Sequence, residues 1–98
     1  LHTIKQTHEF VVWLTGLREL KTRQRLAMRL RKASLGNVKA LGDGVHDRRE
    51  HFGPGWRMYF VIRGDVLIVM LAGGDKASQS ADISRAIRLA AQLEWSET

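Results

Sequence analysis

The sequence predicts a single α+β domain, with helices packed on a small, mainly antiparallel sheet. Three observations carry this. The chain has 98 residues, room for one domain and not two. Apolar residues recur with a helical period toward both ends and with a strand period in the middle. Two glycine-centred turn signals, Gly53-Pro54-Gly55 and Gly64-Asp65, cut the middle stretch into hairpin arms.

Residues 2–6 alternate weakly and read as a short first strand. Thr7 is a helix N-cap, with Glu9 in the first turn, where the helix dipole favours an acid. Phe10, Trp13, Leu14 and Leu17 follow at the spacing of one helix face. A second helical stretch covers residues 20–34, with Leu20, Ala27, Leu30 and Ser34 on one stripe, and Gly36-Asn37 stops it. As one helix, residues 7–34 would extend about 42 Å. A domain of this size has a radius of gyration near 13 Å. A break at residues 18–21, giving a helical hairpin, is therefore expected. Leu41-Gly42-Asp43-Gly44 reads as a loop. Strands follow at residues 45–52, 56–63 and 66–72. A last helix starts near Ser78 or Ser80 and carries Ile83, Ala86, Ile87 and Ala90 on one face. The predicted order is β-α-α-β-β-β-α over one domain, residues 1–98.

The bulk chemistry narrows the function classes. No cysteine is present, which excludes a disulfide frame and a thiolate metal site. His2, His8 and His46 lack metal-ligand spacing, and Asp43, Asp47 and Glu50 do not form a carboxylate metal site, so neither metal nor cofactor is expected. The lack of cysteine fits a reducing cytoplasm, no apolar run approaches the ~20 residues that span a bilayer, and residues 1–5 do not read as a signal peptide. The formal charge of +6 suits a polyanionic partner. Residues 18–32 hold seven basic side chains and one acid, Glu19: a solvated helix face, or a contact for nucleic acid or an acidic protein.

The turns imply a register. A three-residue loop at 53–55 sets His51 opposite Arg57 and Arg49 opposite Tyr59. A two-residue loop at 64–65 sets Tyr59 opposite Met70 and Arg57 opposite Ala72. With side chains alternating, Phe52, Trp56, Met58, Phe60, Leu67, Val69 and Leu71 form the core face. Asp47, Arg49, His51, Arg57, Tyr59, Val61, Ile68 and Met70 form the other. Arg48 and Glu50 then point coreward, where charges need partners. A slip of one residue would exchange the faces.

Arg49, His51 and Arg57, clustered, repel one another until an anion binds among them. A phosphodiester fits, because Arg matches its oxygens in bidentate fashion. Tyr59 could stack on a base, and His51 could move a proton. Such a set can cleave RNA at the 2′-hydroxyl, chemistry closed to DNA. The plainer reading is a solvated strand face. Gly73-Gly74-Asp75-Lys76 lacks the spacing of a Walker motif, and a strand-to-helix turn explains its glycines equally well. Lys76 precedes a helix N-terminus.

Phe10-x-x-Trp13-Leu14-x-x-Leu17, Gly42-Asp43-Gly44-Val45, Arg49-x-His51-Phe52-Gly53-Pro54-Gly55-Trp56-Arg57-Met58-Tyr59-Phe60 and Gly73-Gly74-Asp75-Lys76-x-x-Gln79-x-x-Asp82-Ile83 stand in this order over nearly the whole chain. In order and spacing they resemble the HigB-like "addiction module killer" branch of the RelE/ParE toxins. The resemblance implies the toxin of a bacterial type II toxin–antitoxin pair, with the RelE-like fold. It implies a metal-independent endoribonuclease that cuts mRNA on the ribosome, in the cytoplasm. Carried over by position, Arg57 and Arg49 would hold the scissile phosphate, Lys76 and Arg48 would contact substrate, and His51 and Tyr59 would move a proton or stack on a base. The implied partner is a HigA-like helix-turn-helix antitoxin, through which alone the complex would meet DNA. The superfamily leaves two alternatives open: a ParE-like gyrase inhibitor without nuclease activity, or a non-toxic antitoxin-binding relic. The pattern usually has apolar residues where this chain has Arg48 and Glu50.

Overall fold

Thr7 ends a strand and opens a helix. The computed structural model describes residues 3–31, 38–64 and 67–96. In it, β1 (Thr3–Gln6) leads into α1 (His8–Thr15), and the Thr7 hydroxyl accepts a hydrogen bond from the Phe10 N–H at 3.1 Å. Gly16 closes α1, and α2 (Leu20–Arg31) begins after a short connection, so the helical break lies at residues 16–19. Phe10 and Leu14 of α1 and Leu26 and Leu30 of α2 are buried. Leu20, expected on the α2 core stripe, is 56% exposed, and Leu26 takes that place one turn before Leu30. Ser34, the Gly36-Asn37 stop and Asp65 lie outside the described residues.

Four strands follow where three are expected: β2 (Val38–Gly42), β3 (Val45–Arg49), β4 (Arg57–Arg63) and β5 (Leu67–Gly74), then α3 (Gln79–Ser96). The added strand is β2. Gly42 pairs with Val45, and Asp43 and Gly44 between them have φ of 53° and 76°, a two-residue Asp-Gly hairpin turn. Lys39 and Ala40 are exposed, so β2 shows little hydrophobic signature. The α+β class stands with a fifth strand.

The sheet order is β1-β5-β4-β3-β2, parallel between β1 and β5 and antiparallel elsewhere. Both faces are covered. Phe10, Leu14, Leu26 and Leu30 pack on Met58, Phe60, Ile68 and Met70 on one face. On the other, Ala86 and Ala90 of α3, flanked by Ile83 and Ile87, pack on Val45, Tyr59, Val61, Val69, Leu71 and Ala72. The face expected to be a mixed open surface is thus largely roofed by α3.

Two registers differ from expectation. Arg49 lies opposite Arg57 and Asp47 opposite Tyr59, a shift of two residues that keeps every β3 side chain on its expected face. β3 ends at Arg49, so Glu50, His51 and Phe52 lengthen the loop. Between β4 and β5, Arg63 pairs with Leu67, leaving three residues in the turn rather than two. That single residue exchanges the faces of β5: Ile68 and Met70 face α1 and α2, while Val69 and Leu71 face α3.

Leu71 is then an extra residue. The ladder passes from Phe60↔Met70 to Tyr59↔Ala72, a bulge that puts Leu71 and Ala72 both in the α3 cluster. Thr7 holds it. Its hydroxyl donates to the Leu71 carbonyl at 2.7 Å, and its N–H donates to the Met70 carbonyl at 3.0 Å. Beyond the bulge, Gly73 faces α1 and Gly74 faces α3. A Cβ at Gly73 would meet the Trp13 ring, and one at Gly74 would meet the Asp82 carboxylate. The glycines serve close helix–sheet approach on both faces, the strand-to-helix reading of this motif.

Arg48 and Glu50 point coreward and neutralise each other. The Glu50 carboxylate takes Arg48 Nε at 3.0 Å and Arg29 Nε at 3.3 Å, and Arg48 donates to the Arg29 carbonyl at 3.2 Å. This network ties β3 to α2.

Thr7→Ala removes the cap of α1 and leaves the bulge carbonyl unpaired, and is expected to cost about 2 kcal/mol of unfolding free energy, with Thr7→Ser within about 0.5 kcal/mol of the parent. Urea denaturation measures both. An alanine variant as stable as the serine variant would remove Thr7 from this role.

Candidate active site

On the α3 face, β3, β4 and β5 present a grid of side chains. One row is Arg49, Arg57 and Gly74, the next Asp47, Tyr59 and Ala72, and the third Val45, Val61 and Val69. The third row is apolar floor beneath α3. The first two are polar, at the end of the sheet. The bulge sets the small residues Ala72 and Gly74 beside Tyr59 and Arg57, and the Asp82 carboxylate takes the space over Gly74.

Arg57 is 7% exposed. Its Nε has no hydrogen-bond partner, and among the described residues no carboxylate lies within ion-pairing distance of its guanidinium. Its direct cross-strand neighbour is Arg49, a like charge. Arg49 is half-buried, with Nε 3.5 Å from Asp47 Oδ1. Asp47 has no exposed surface, and neither carboxylate oxygen has a hydrogen-bond donor.

The far side of the row is closed by α3. Asp82 is buried over Gly74; it accepts from Ser78 Oγ and from Arg85 Nη2 at 2.9 Å, and Arg85 also donates to the Gly73 carbonyl at 3.3 Å. The Ser78 N–H donates to Asp75 Oδ1 at 3.0 Å, which locks the turn into α3.

Tyr59 is fully buried against α3, and its hydroxyl has no hydrogen-bond partner. Burial pushes its pKa up to about 12, with Asp82 and Asp47 adding to the shift and Arg57 and Arg49 opposing it. The phenol is therefore neutral at physiological pH. With α3 in place the ring has no face to offer a base.

The other expected site residues scatter. Lys76 is exposed, two residues beyond Gly74, and its stem lies against the 53–55 loop, where a Cβ on Gly55 would stand 3.4 Å from the Lys76 Cβ. His51 is exposed in the loop after β3 rather than on a strand opposite Arg57. Arg48 is on the opposite sheet face, engaged with Glu50, and does not join the arginine row. Strand alternation puts Asp47 on the right face without a role, and it gives Asp82 and Arg85 none. The signal was there for Asp82: an acid in the first turn of a helix that follows two glycines. A cleft between the α1–α2 connection and the β3–β4 loop, lined by Leu17, Arg18, Thr22, Pro54 and Trp56, contains none of the expected site residues. Among the described residues no group of three or more histidine, cysteine, aspartate or glutamate side chains forms a metal-binding cluster, and no helix is long and apolar enough to cross a membrane.

No protein-family model matches the chain. An uncharacterized protein of Haemophilus influenzae is 36% identical over 93 residues, 92% of this chain and 94% of that one. The chain belongs to that protein's family. Two solved structures share the fold. A double mutant of the E. coli toxin RelE, in the free state, superposes with a TM-score of 0.68 at 14% identity, over 89% of this chain and 95% of RelE. YafQ of E. coli BL21(DE3) superposes with a TM-score of 0.57 at 16% identity, over 81% of this chain and 98% of YafQ. The architecture is the RelE fold, the α+β fold expected from the sequence.

Tyr59 is the chain's single tyrosine, so its ionisation can be followed alone at 295 nm. The native protein should titrate near pH 12 and the urea-unfolded chain near 10. Because the folded pKa is the higher, this group's contribution to stability is complete below pH 10 and lost as pH rises toward 12. A native midpoint at 10 would contradict the burial of the phenol.

Proposed function

We propose that this chain is the toxin of a type II toxin–antitoxin pair and a metal-independent endoribonuclease that cuts mRNA on the ribosome. One observation carries the reading: Arg57, 7% exposed and with a buried, unpartnered Nε, has no ion pair among the described residues and stands directly opposite Arg49. Enclosing most of a cationic side chain without a counter-charge is unfavourable, and an apolar side chain of similar size would avoid that cost. A phosphodiester drawn between the two arginines supplies the missing charge and accepts their hydrogen bonds. The fold shared with the toxin RelE and the HigB-like motifs of the sequence support the same reading.

In the proposed reaction, the message's 2′-oxygen loses its proton to a base and attacks the adjacent phosphorus. The new O–P bond forms as the bond to the 5′-oxygen breaks, and that oxygen takes a proton. Arg57 and Arg49 hold the non-bridging oxygens and stabilise the charge that builds on them. Lys76, at the end of the same sheet, adds a second phosphate contact. His51, exposed in the adjoining loop, exchanges protons with substrate. Tyr59 is the floor beneath Arg57 rather than a stacking ring. The requirement for a 2′-hydroxyl selects RNA over DNA. A HigA-like helix-turn-helix antitoxin would neutralise the toxin in the bacterial cytoplasm, with an acidic segment matching the +6 chain.

Arg57→Ala is expected to abolish growth arrest on expression and to lower cleavage of ribosome-bound message by at least about a hundredfold. Its circular dichroism should match the parent's, since the substitution removes an unpaired charge. A variant that still arrests growth and cleaves message like the parent would contradict the assignment. Inhibition of gyrase supercoiling with cellular mRNA intact would replace the nuclease reading with the gyrase-inhibitor alternative.

A further inference from the structure

Asp47 is a fully buried carboxylate whose two oxygens receive no hydrogen bond. A structural acid in that position would normally be capped by backbone or side-chain donors. Its electrostatic partner is instead one edge of a guanidinium: Arg49 Nε at 3.5 Å. It occupies the grid position next to the Arg49–Arg57 pair, on the same face, one row toward the apolar floor. The second buried acid of the region, Asp82, is already satisfied by Ser78 and Arg85. Arg85, Arg49 and Arg57 bring three positive charges to these two carboxylates, which leaves the cluster short of one negative charge.

We infer that Asp47 is the positioning residue of the phosphate site: it draws on Arg49 from the Nε side, leaves the Nη edge free for substrate, and offsets the repulsion between Arg49 and Arg57 while the site is empty. The inference rests on the reading of this arginine pair as the phosphate-binding pair. Without an acid here, two guanidiniums on directly opposed strand positions would face each other uncompensated, and the outer one would swing toward water. With a second free acid here, the pair would be neutral and would not attract a phosphate. A single carboxylate, behind one arginine and without hydrogen bonds of its own, holds the pair together and still leaves it cationic.

The test uses the purified full chain and inorganic phosphate as the probe, at constant ionic strength set with chloride. Asp47→Asn keeps the shape and removes the charge. It should lower the thermal midpoint in chloride by about 5–10 °C. Phosphate should then raise that midpoint at least about twice as far as it raises the parent's, because the anion replaces the lost counter-charge. The double variant Asp47→Asn, Arg49→Gln should recover most of the lost midpoint and respond to phosphate no more than the parent. In cleavage of ribosome-bound message, Asp47→Asn should lower kcat by about tenfold or more with KM no higher than the parent's, since phosphate is still attracted but Arg49 is no longer held. An Asp47→Asn variant with the parent's midpoint and phosphate response overturns the inference. So does a loss of stability that phosphate and the second substitution both leave unrepaired, which would make Asp47 a packing residue. An unchanged kcat overturns the positioning role. The stability arms need no catalysis: if the parent protein cleaves no ribosome-bound message, the nuclease reading falls while the midpoints still decide the role of Asp47.

Discussion

The structure turns on one extra residue in a strand. Leu71 interrupts the β4–β5 ladder, and every later position of β5 changes face because of it. Ala72 and Gly74 are thereby turned toward α3, beside Tyr59 and Arg57, where a side chain at position 74 would strike the Asp82 carboxylate. Gly73 is turned toward Trp13, which lets α1 settle on the sheet. The bulge is held by Thr7, the residue that also caps α1. One threonine therefore couples the entry of the chain, the packing of its first helix and the geometry of an arginine row far along the sequence.

The polar row is costly by the usual accounting of buried charge. Arg57 is enclosed without a counter-ion among the described residues, Asp47 without a hydrogen bond, and the Tyr59 hydroxyl without a partner. Arg48 and Glu50 neutralise one another on the opposite face, and Asp82 is satisfied by α3. Arg23 Nε, His46 Nδ1, Trp56 Nε1 and Arg85 Nε also lack a partner, but Asp47, Tyr59, Arg49 and Arg57 stand in adjoining rows of one sheet face. That grouping of charged and polar side chains on one face marks the row as a candidate ligand site.

The sequence foretold the fold class, the Thr7 cap, the helical break and the apolar face of the last helix, because each rests on short-range chemistry. It also placed Arg49, Arg57 and Tyr59 on one face, since the β3 register moved by two and a shift of two preserves alternation. What it missed is set by counting across turns and by tertiary contact. One more residue in the β4–β5 turn exchanged the faces of β5, and no local signal marks Leu71 as a bulge. β2 escaped because an edge strand of Lys39 and Ala40 has little hydrophobic pattern, although the Asp43-Gly44 turn pointed to a hairpin. The roof formed by α3 was invisible to strand pairing alone. It turned an exposed face into a buried one and changed Tyr59 from a candidate stacking ring into a floor.

In the proposed function, Arg57 and its neighbour Arg49 form a receptor for phosphodiester oxygens. Arginine Nε–Hε resonances, followed by ¹H–¹⁵N correlation during titration with a short RNA made uncleavable by 2′-deoxy substitution, test it most directly. The Arg57 and Arg49 signals should move together and their exchange with water should slow, while Arg48, tied to Glu50, stays in place. Movement confined to the arginines of α2, with Arg57 and Arg49 unchanged at saturation, would contradict it.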